Sequence, residues 1–171
     1  MGNEDKKISL QTQGVVKVSD SAELVLRSSS IKTGRALAVE HVFSIDDLIV
    51  TGGKQLICKA VGGDTTGTGT PPAKYIEVGR SQTAPAVGQT DLLGTPKMNR
   101  LLGSFVFPAG SSYYRLYRTF QAGQATGTIQ EYGCFNKPVG SAGMMLNRGT
   151  FPPIGKGASD TLQVTAKMQF T

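Results

Sequence analysis

Apolar and polar residues alternate most regularly at the end of the chain. Leu162, Val164, Ala166, Met168 and Phe170 take turns with Gln163, Thr165, Lys167 and Gln169. Such a period of two predicts a strand with one buried and one wet face, as in an antiparallel sheet. The same pattern predicts a strand over 113–120. One face carries Tyr114, Leu116, Arg118 and Phe120, and the other carries Tyr113, Arg115, Tyr117 and Thr119. Shorter strands are expected at Val15–Val18 and Glu23–Arg27, turned back on each other by Ser19, Asp20 and Ser21. Further short strands are expected at Leu48–Val50, Gln55–Val61, Lys74–Val78, Phe105–Phe107, Thr128–Phe135 and Met144–Leu146. One segment has helical spacing. Over Thr33–Ser44, Ala36, Val39, Glu40 and Phe43 fall along one side, and Thr33 can cap the start.

Glycine and proline separate these segments. The 22 glycines and 8 prolines gather with Thr and Ser between apolar runs, as a protein of many turns requires. The stretch from Gly62 to Pro72 is low in complexity and reads as a long loop, and Ser81–Pro96 is broken by Pro and Gly throughout. The expected fold class is mainly β: an antiparallel β-sandwich, jelly-roll or immunoglobulin-like, with one short helix in the N-terminal third. Residues 1–13 are polar and read as a flexible N-terminal arm. Residues 14–171 read as a single β-rich domain: an N-terminal subdomain over 14–61, the Gly/Thr-rich loop at 62–73 and the sandwich over 74–171.

Composition narrows the chemistry. With 39% hydrophobic residues the chain can bury a core, and no apolar run approaches the ~20 residues of a membrane helix. The opening residues carry charges without an apolar stretch behind them, so no secretory signal is expected. Gly2 opens a myristoylation-like frame, but Lys6 stands where Ser or Thr is needed. The only histidine, His41, has no cysteine nearby in sequence and reads as a packing or surface residue. Cys58 and Cys134 lie too far apart for a zinc or redox motif and are expected as buried free thiols in a reducing cytoplasm.

Motifs for catalysis come up short. Gly149 to Gly157 resembles a phosphate-binding loop, but its spacing is one residue too long and Gly157 replaces the Ser or Thr that would meet magnesium. Asp46 and Asp47 are adjacent, so on a strand they point to opposite faces and read as a solvated turn pair. Glu131, mid-strand beside Tyr132, reads as one half of a structural ion pair with an arginine. No catalytic, cofactor-binding or metal-binding residues are assigned, no cofactor is expected, and the chain is expected not to be an enzyme. The net charge of +6 is spread along the chain, so neither nucleic acid nor membrane is an expected partner. Arg115 and Arg118 among Tyr113, Tyr114 and Tyr117 read as a half-exposed strand or a protein interface.

Two stretches together carry a family resemblance. Tyr75–Pro96 reads Tyr-Ile-Glu-Val-Gly-Arg-Ser-Gln-Thr-Ala-Pro-Ala-Val-Gly-Gln-Thr-Asp-Leu-Leu-Gly-Thr-Pro. It resembles the segment xxxxGxGxxxPxxGDTxL of tailed-bacteriophage virion proteins of the tail-fibre, collar and tail-accessory kind. Gly127–Asn136, Met144–Ile154 and the closing strand from Lys156 to Phe170 are similar to their ending, TIxExGLF…LxARxxFxxIxKxxxxxLxVxWxIxF. The likeness covers about residues 74–171, and Gly14–Arg27 looks more weakly like the start of such proteins. The chain departs from the pattern at Gln89, where Asp is usual, and at Ala166 or Lys167, where Trp is often found.

The resemblance implies a non-enzymatic virion structural protein. It would assemble in multiple copies at the tail, collar or fibre-attachment region, in a virion built in the host cytoplasm. Its partners would be other virion proteins (tail, collar, portal or capsid) and itself, as a homo-oligomer. Two alternatives stay open: a capsid head-decoration or cement protein, and a host-surface receptor or glycan-binding module using loops 62–73 and 136–143.

Overall fold

The alternating closing segment is a strand, Thr161–Phe170, at the centre of a five-stranded antiparallel sheet. Its Leu162, Val164, Ala166 and Met168 are buried, and the polar residues between them are half-open. The computed structural model describes residues 18–32, 35–62, 71–95, 98–141 and 143–170. In chain order the elements are β1 (Val18–Lys32), β2 (Arg35–Asp46), β3 (Leu48–Ile49), α1 (Thr51–Gly62), β4 (Tyr75–Gly79) and β5 (Met98–Leu102). They continue with β6 (Ser104–Val106), β7 (Tyr113–Phe120), β8 (Gly127–Phe135), β9 (Met145–Lys156) and β10 (Thr161–Phe170).

The first sheet has the order β2-β1-β10-β7-β6 and the second β3-β9-β8-β4-β5, with every pairing antiparallel. Their inner faces share one core. Ala22, Leu24 and Leu26 of β1, Leu116 and Phe120 of β7 and alternate residues of β10 meet Ile76 and Val78 of β4, Tyr132 and Cys134 of β8, and Phe151 and Ile154 of β9. The fold is therefore the antiparallel β-sandwich with one short helix that the periodicity predicts.

Several elements lie elsewhere than the local pattern suggests. The helix is α1, at Thr51–Gly62, where a strand was expected over Gln55–Val61. The helix expected over Thr33–Ser44 is not formed, because from Arg35 onward the chain is strand β2, paired with β1 from Lys32↔Arg35 to Ser21↔Asp46. The same residues alternate as Leu37, Val39, His41, Phe43 and Ile45, and a long neighbouring strand with open backbone groups decides between the two periods. The expected turn at Ser19–Ser21 is absent, because β1 runs straight through and pairs with β10 from Val18↔Phe170 to Arg27↔Thr161. The backbone of His41 stands opposite Leu26, but its side chain lies outside those described. The arm at 1–13 and residues 63–70 of the Gly/Thr-rich loop also lie outside the described residues.

α1 lies against β9 at a glycine. A Cβ on Gly53 would sit 1.9 Å from the Leu146 carbonyl oxygen, so only glycine permits this approach. Leu56 is buried beneath the helix, and Lys59 in the last turn complements the C-terminal end of its dipole. Cys58 is exposed on the helix, which corrects the expectation of a buried thiol, while Cys134 is buried; both are free. A strand at Gln55–Val61 would have alternated Cys58 inward, whereas the helical turn carries it outward.

β9 is much longer than the three residues expected at Met144–Leu146, and it tolerates Pro152 and Pro153 mid-strand. The β8–β9 register jumps between Ile129↔Ile154 and Glu131↔Thr150, which leaves the prolines in an irregularity where no N–H has to be donated.

Candidate functional site

The register break in β8 has a second effect. Ile129 and Tyr132 both enter the main core, so Glu131 between them is turned to the opposite face of the second sheet. There the long connection from Arg80 to Thr95 crosses the sheet as an outer layer. Its Leu92 packs with Val50, Phe135 and Met145, and Tyr75 flanks this small second core.

Glu131 pins that connection. It is fully buried, and its Oε1 accepts from the backbone N–H of Gly94 at 2.6 Å and of Ser81 at 3.2 Å, while Oε2 accepts from Leu93 N–H at 3.2 Å. Arg148, buried as completely, donates to Oε2 through Nε at 2.9 Å and holds Nη2 at 2.8 Å from it. The structural ion pair read from the sequence is therefore present. Arg148 Nη1 donates to the Thr83 carbonyl at 2.9 Å and to Gln89 Oε1 at 3.1 Å. Two glycines make room for the carboxylate, since a Cβ at Gly79 or Gly94 would come within 2.4 Å or 2.6 Å of Oε1.

A second ion pair lies beside the first. Arg100 Nε donates to Glu77 Oε2 at 2.8 Å, Nη2 contacts Asp91 Oδ1 at 3.1 Å, and the guanidinium lies 3.5 Å from the centre of the Phe135 ring. Asn147 donates to Asp47 Oδ2 at 2.7 Å and accepts from Cys134 N–H at 3.0 Å, so Asp47 of the expected turn pair is tied into β9. The start of α1 belongs to the same assembly, because Thr51 N–H donates to the Val87 carbonyl at 2.7 Å. Both oxygens of Glu131 are engaged by donors, and the group has the chemistry of a clasp. Gln89, at the position where the resembled pattern has Asp, supplies an acceptor oxygen to Arg148.

Among the described residues, one side of the sandwich is uncovered. β5 and β6 are the edge strands of the two sheets on that side, and Gly103 carries the chain from one to the other. Leu102, Val106 and Phe107 are 53%, 42% and 70% exposed along this side. The Phe107 ring rests 5.7 Å from Phe105 and 5.7 Å from Tyr114, centre to centre. Arg118 reaches across from β7 and donates through Nη1 to the Leu102 carbonyl at 3.3 Å.

The outer face of the first sheet holds an open depression of about 470 Å³. Two rungs of the ladder form its floor. One runs Glu23–Thr165–Tyr117–Ser104 and the next Ser21–Lys167–Arg115–Val106. Arg115 therefore lies on the face predicted for it, away from Arg118. Lys167 Nζ and the Arg115 guanidinium lie 4.7 Å and 5.3 Å from the centre of the Tyr113 ring.

Lys156 is nearly fully buried, and its Nζ donates to the Gln121 carbonyl at 3.1 Å. Burial pushes its ammonium below the ordinary lysine pKa, and the charge of Asp160 opposes that shift in part. Sequence reasoning pointed to Glu131 by its polar charge inside an apolar strand. It missed Arg148, Arg100 and Lys156, whose neighbours come from other strands. No protein-family model matches this chain, and no curated protein or solved structure matches it.

Proposed function

We propose that this protein is a non-enzymatic structural component of a bacteriophage particle, assembled in several copies in the tail, collar or fibre-attachment region through protein–protein contacts. The observation that carries the reading is the open side of the sandwich. Among the described residues, two edge strands without a further strand partner run along it beside Leu102, Val106 and Phe107, and a strand edge presents backbone donors and acceptors to any chain that can add to it. Exposed aromatic and aliphatic side chains there add apolar area to such a contact.

The two segments behind the phage resemblance also give support. They form one unit, in which Glu131 and Arg148 of the second segment clasp the connection that makes up the first. A loop fixed in this way is a rigid surface, and rigid surfaces lose less entropy on assembly.

The test is the mass of the purified full chain in solution, followed by imaging of tagged protein on the particle. An oligomer, with label on the tail axis, is the expected result. A monomer at every concentration with unlabelled particles overturns the reading, and label following the capsid lattice replaces it with a decoration protein.

A further inference from the structure

The depression on the outer face of the first sheet is built against its own electrostatics. Lys167 and Arg115 are direct cross-strand partners on β10 and β7, and like charges facing each other across a strand pair are destabilising. Both cations lean on the single Tyr113 ring, while the described ion pairs of this chain are made elsewhere, by Arg100 and Arg148. An anion seated between the two would relieve the repulsion and accept charge-assisted hydrogen bonds from both.

We propose that this depression binds an acidic saccharide, with a sugar carboxylate held by Arg115 and Lys167. The floor beside the cations suits a sugar. Tyr117 supplies a ring, and Gln163, Thr165, Ser21 and Glu23 supply amide, hydroxyl and carboxylate groups able to exchange hydrogen bonds with sugar hydroxyls. These groups sit on neighbouring strands of one ladder, which holds them at set spacings without ordering a loop. At about 470 Å³ the space falls within the range of small-ligand sites. Among the described lining residues, two cations stand against one carboxylate, that of Glu23. That balance suits a ligand with one charge per sugar, whereas a nucleic-acid backbone is met by rows of cations without an acid among them.

The test is an amide-resolved NMR titration of the full chain with three probes: trigalacturonate, its methyl ester and a short oligothymidylate. The expected result is a set of shifts on β7 and β10 around Arg115, Tyr117, Thr165 and Lys167 with the free acid, much weaker with the ester. Arg115→Gln and Lys167→Gln should each lower the affinity about tenfold. Both residues lie on the outer face of the sheet, and a melting temperature equal to or above the wild-type value, as relief of the repulsion predicts, will show that the variants fold. No shifts up to about 10 mM free acid, equal binding of acid and ester, shifts confined to other strands, or tighter binding of the oligothymidylate would each overturn the proposal.

Discussion

Glu131 shows how much one side chain organises here. It accepts from three backbone N–H groups of the outer connection and from Arg148, and its own carboxylate is fully buried. Glu131→Ala strips these donors of their acceptor and leaves Arg148 as an uncompensated buried charge. The expected loss is about 3–5 kcal/mol, measured by denaturant unfolding.

Lys156 gives stability a pH dependence. Its pKa in the folded chain is lowered by burial, so the folded protein sheds this proton before the unfolded chain does. Below the folded pKa the buried charge costs stability. As pH climbs from there towards the ordinary value of 10.5, the unfolded state binds more protons and stability rises. Subtracting the stability curve of Lys156→Met from that of the wild type should isolate this rise on the alkaline side; a flat difference would contradict it. The two cysteines give a simpler test. A maleimide should modify Cys58 in the native protein and reach Cys134 only after unfolding.

At the scale of elements, strand β10 and the β2–α1 region behave differently. β10 is legible in the sequence because its two faces meet two environments, core and solvent, so burial imprints a period of two. Truncating its inward face should therefore cost far more than its outward face. Leu162→Ala is expected to lose about 2–5 kcal/mol, and Gln163→Ala about 0.5 kcal/mol or less, both by equilibrium unfolding. For 35–62 the local patterns are compatible with either period. β1 supplies a partner for β2, and Gly53 lets α1 settle on the Leu146 carbonyl. β1 ends only two residues before β2, but its own strand is fixed by β10 at the far end of the chain, and Leu146 is likewise distant from the helix it seats.

At the scale of the molecule, three outer surfaces have three characters. The second sheet is covered by the clasped connection, the first sheet offers a cationic depression, and the β5–β6 side is apolar, with no further strand paired to it among the described residues. Surface of the third kind favours association. If the proposed oligomer is built on this side, Phe107→Ser combined with Leu102→Ser will shift it towards monomers at equal concentration while leaving the unfolding midpoint nearly unchanged. Sedimentation alongside thermal melting measures both, and an unaltered oligomer would direct attention to another surface.

The sequence by itself determined the class of fold, the closing strand, the face assignment of Tyr113–Phe120 and the expectation that Glu131 meets an arginine. Each of these follows from a residue and its near neighbours, since periodicity and a charge within an apolar run are local signals. Tertiary structure alone decided that Arg148 is that arginine, that 80–95 is a fixed outer layer, that Cys58 faces water and that Arg115 stands against Lys167. Those outcomes depend on register between strands far apart in the chain, and register is set by the simultaneous packing of both sheets.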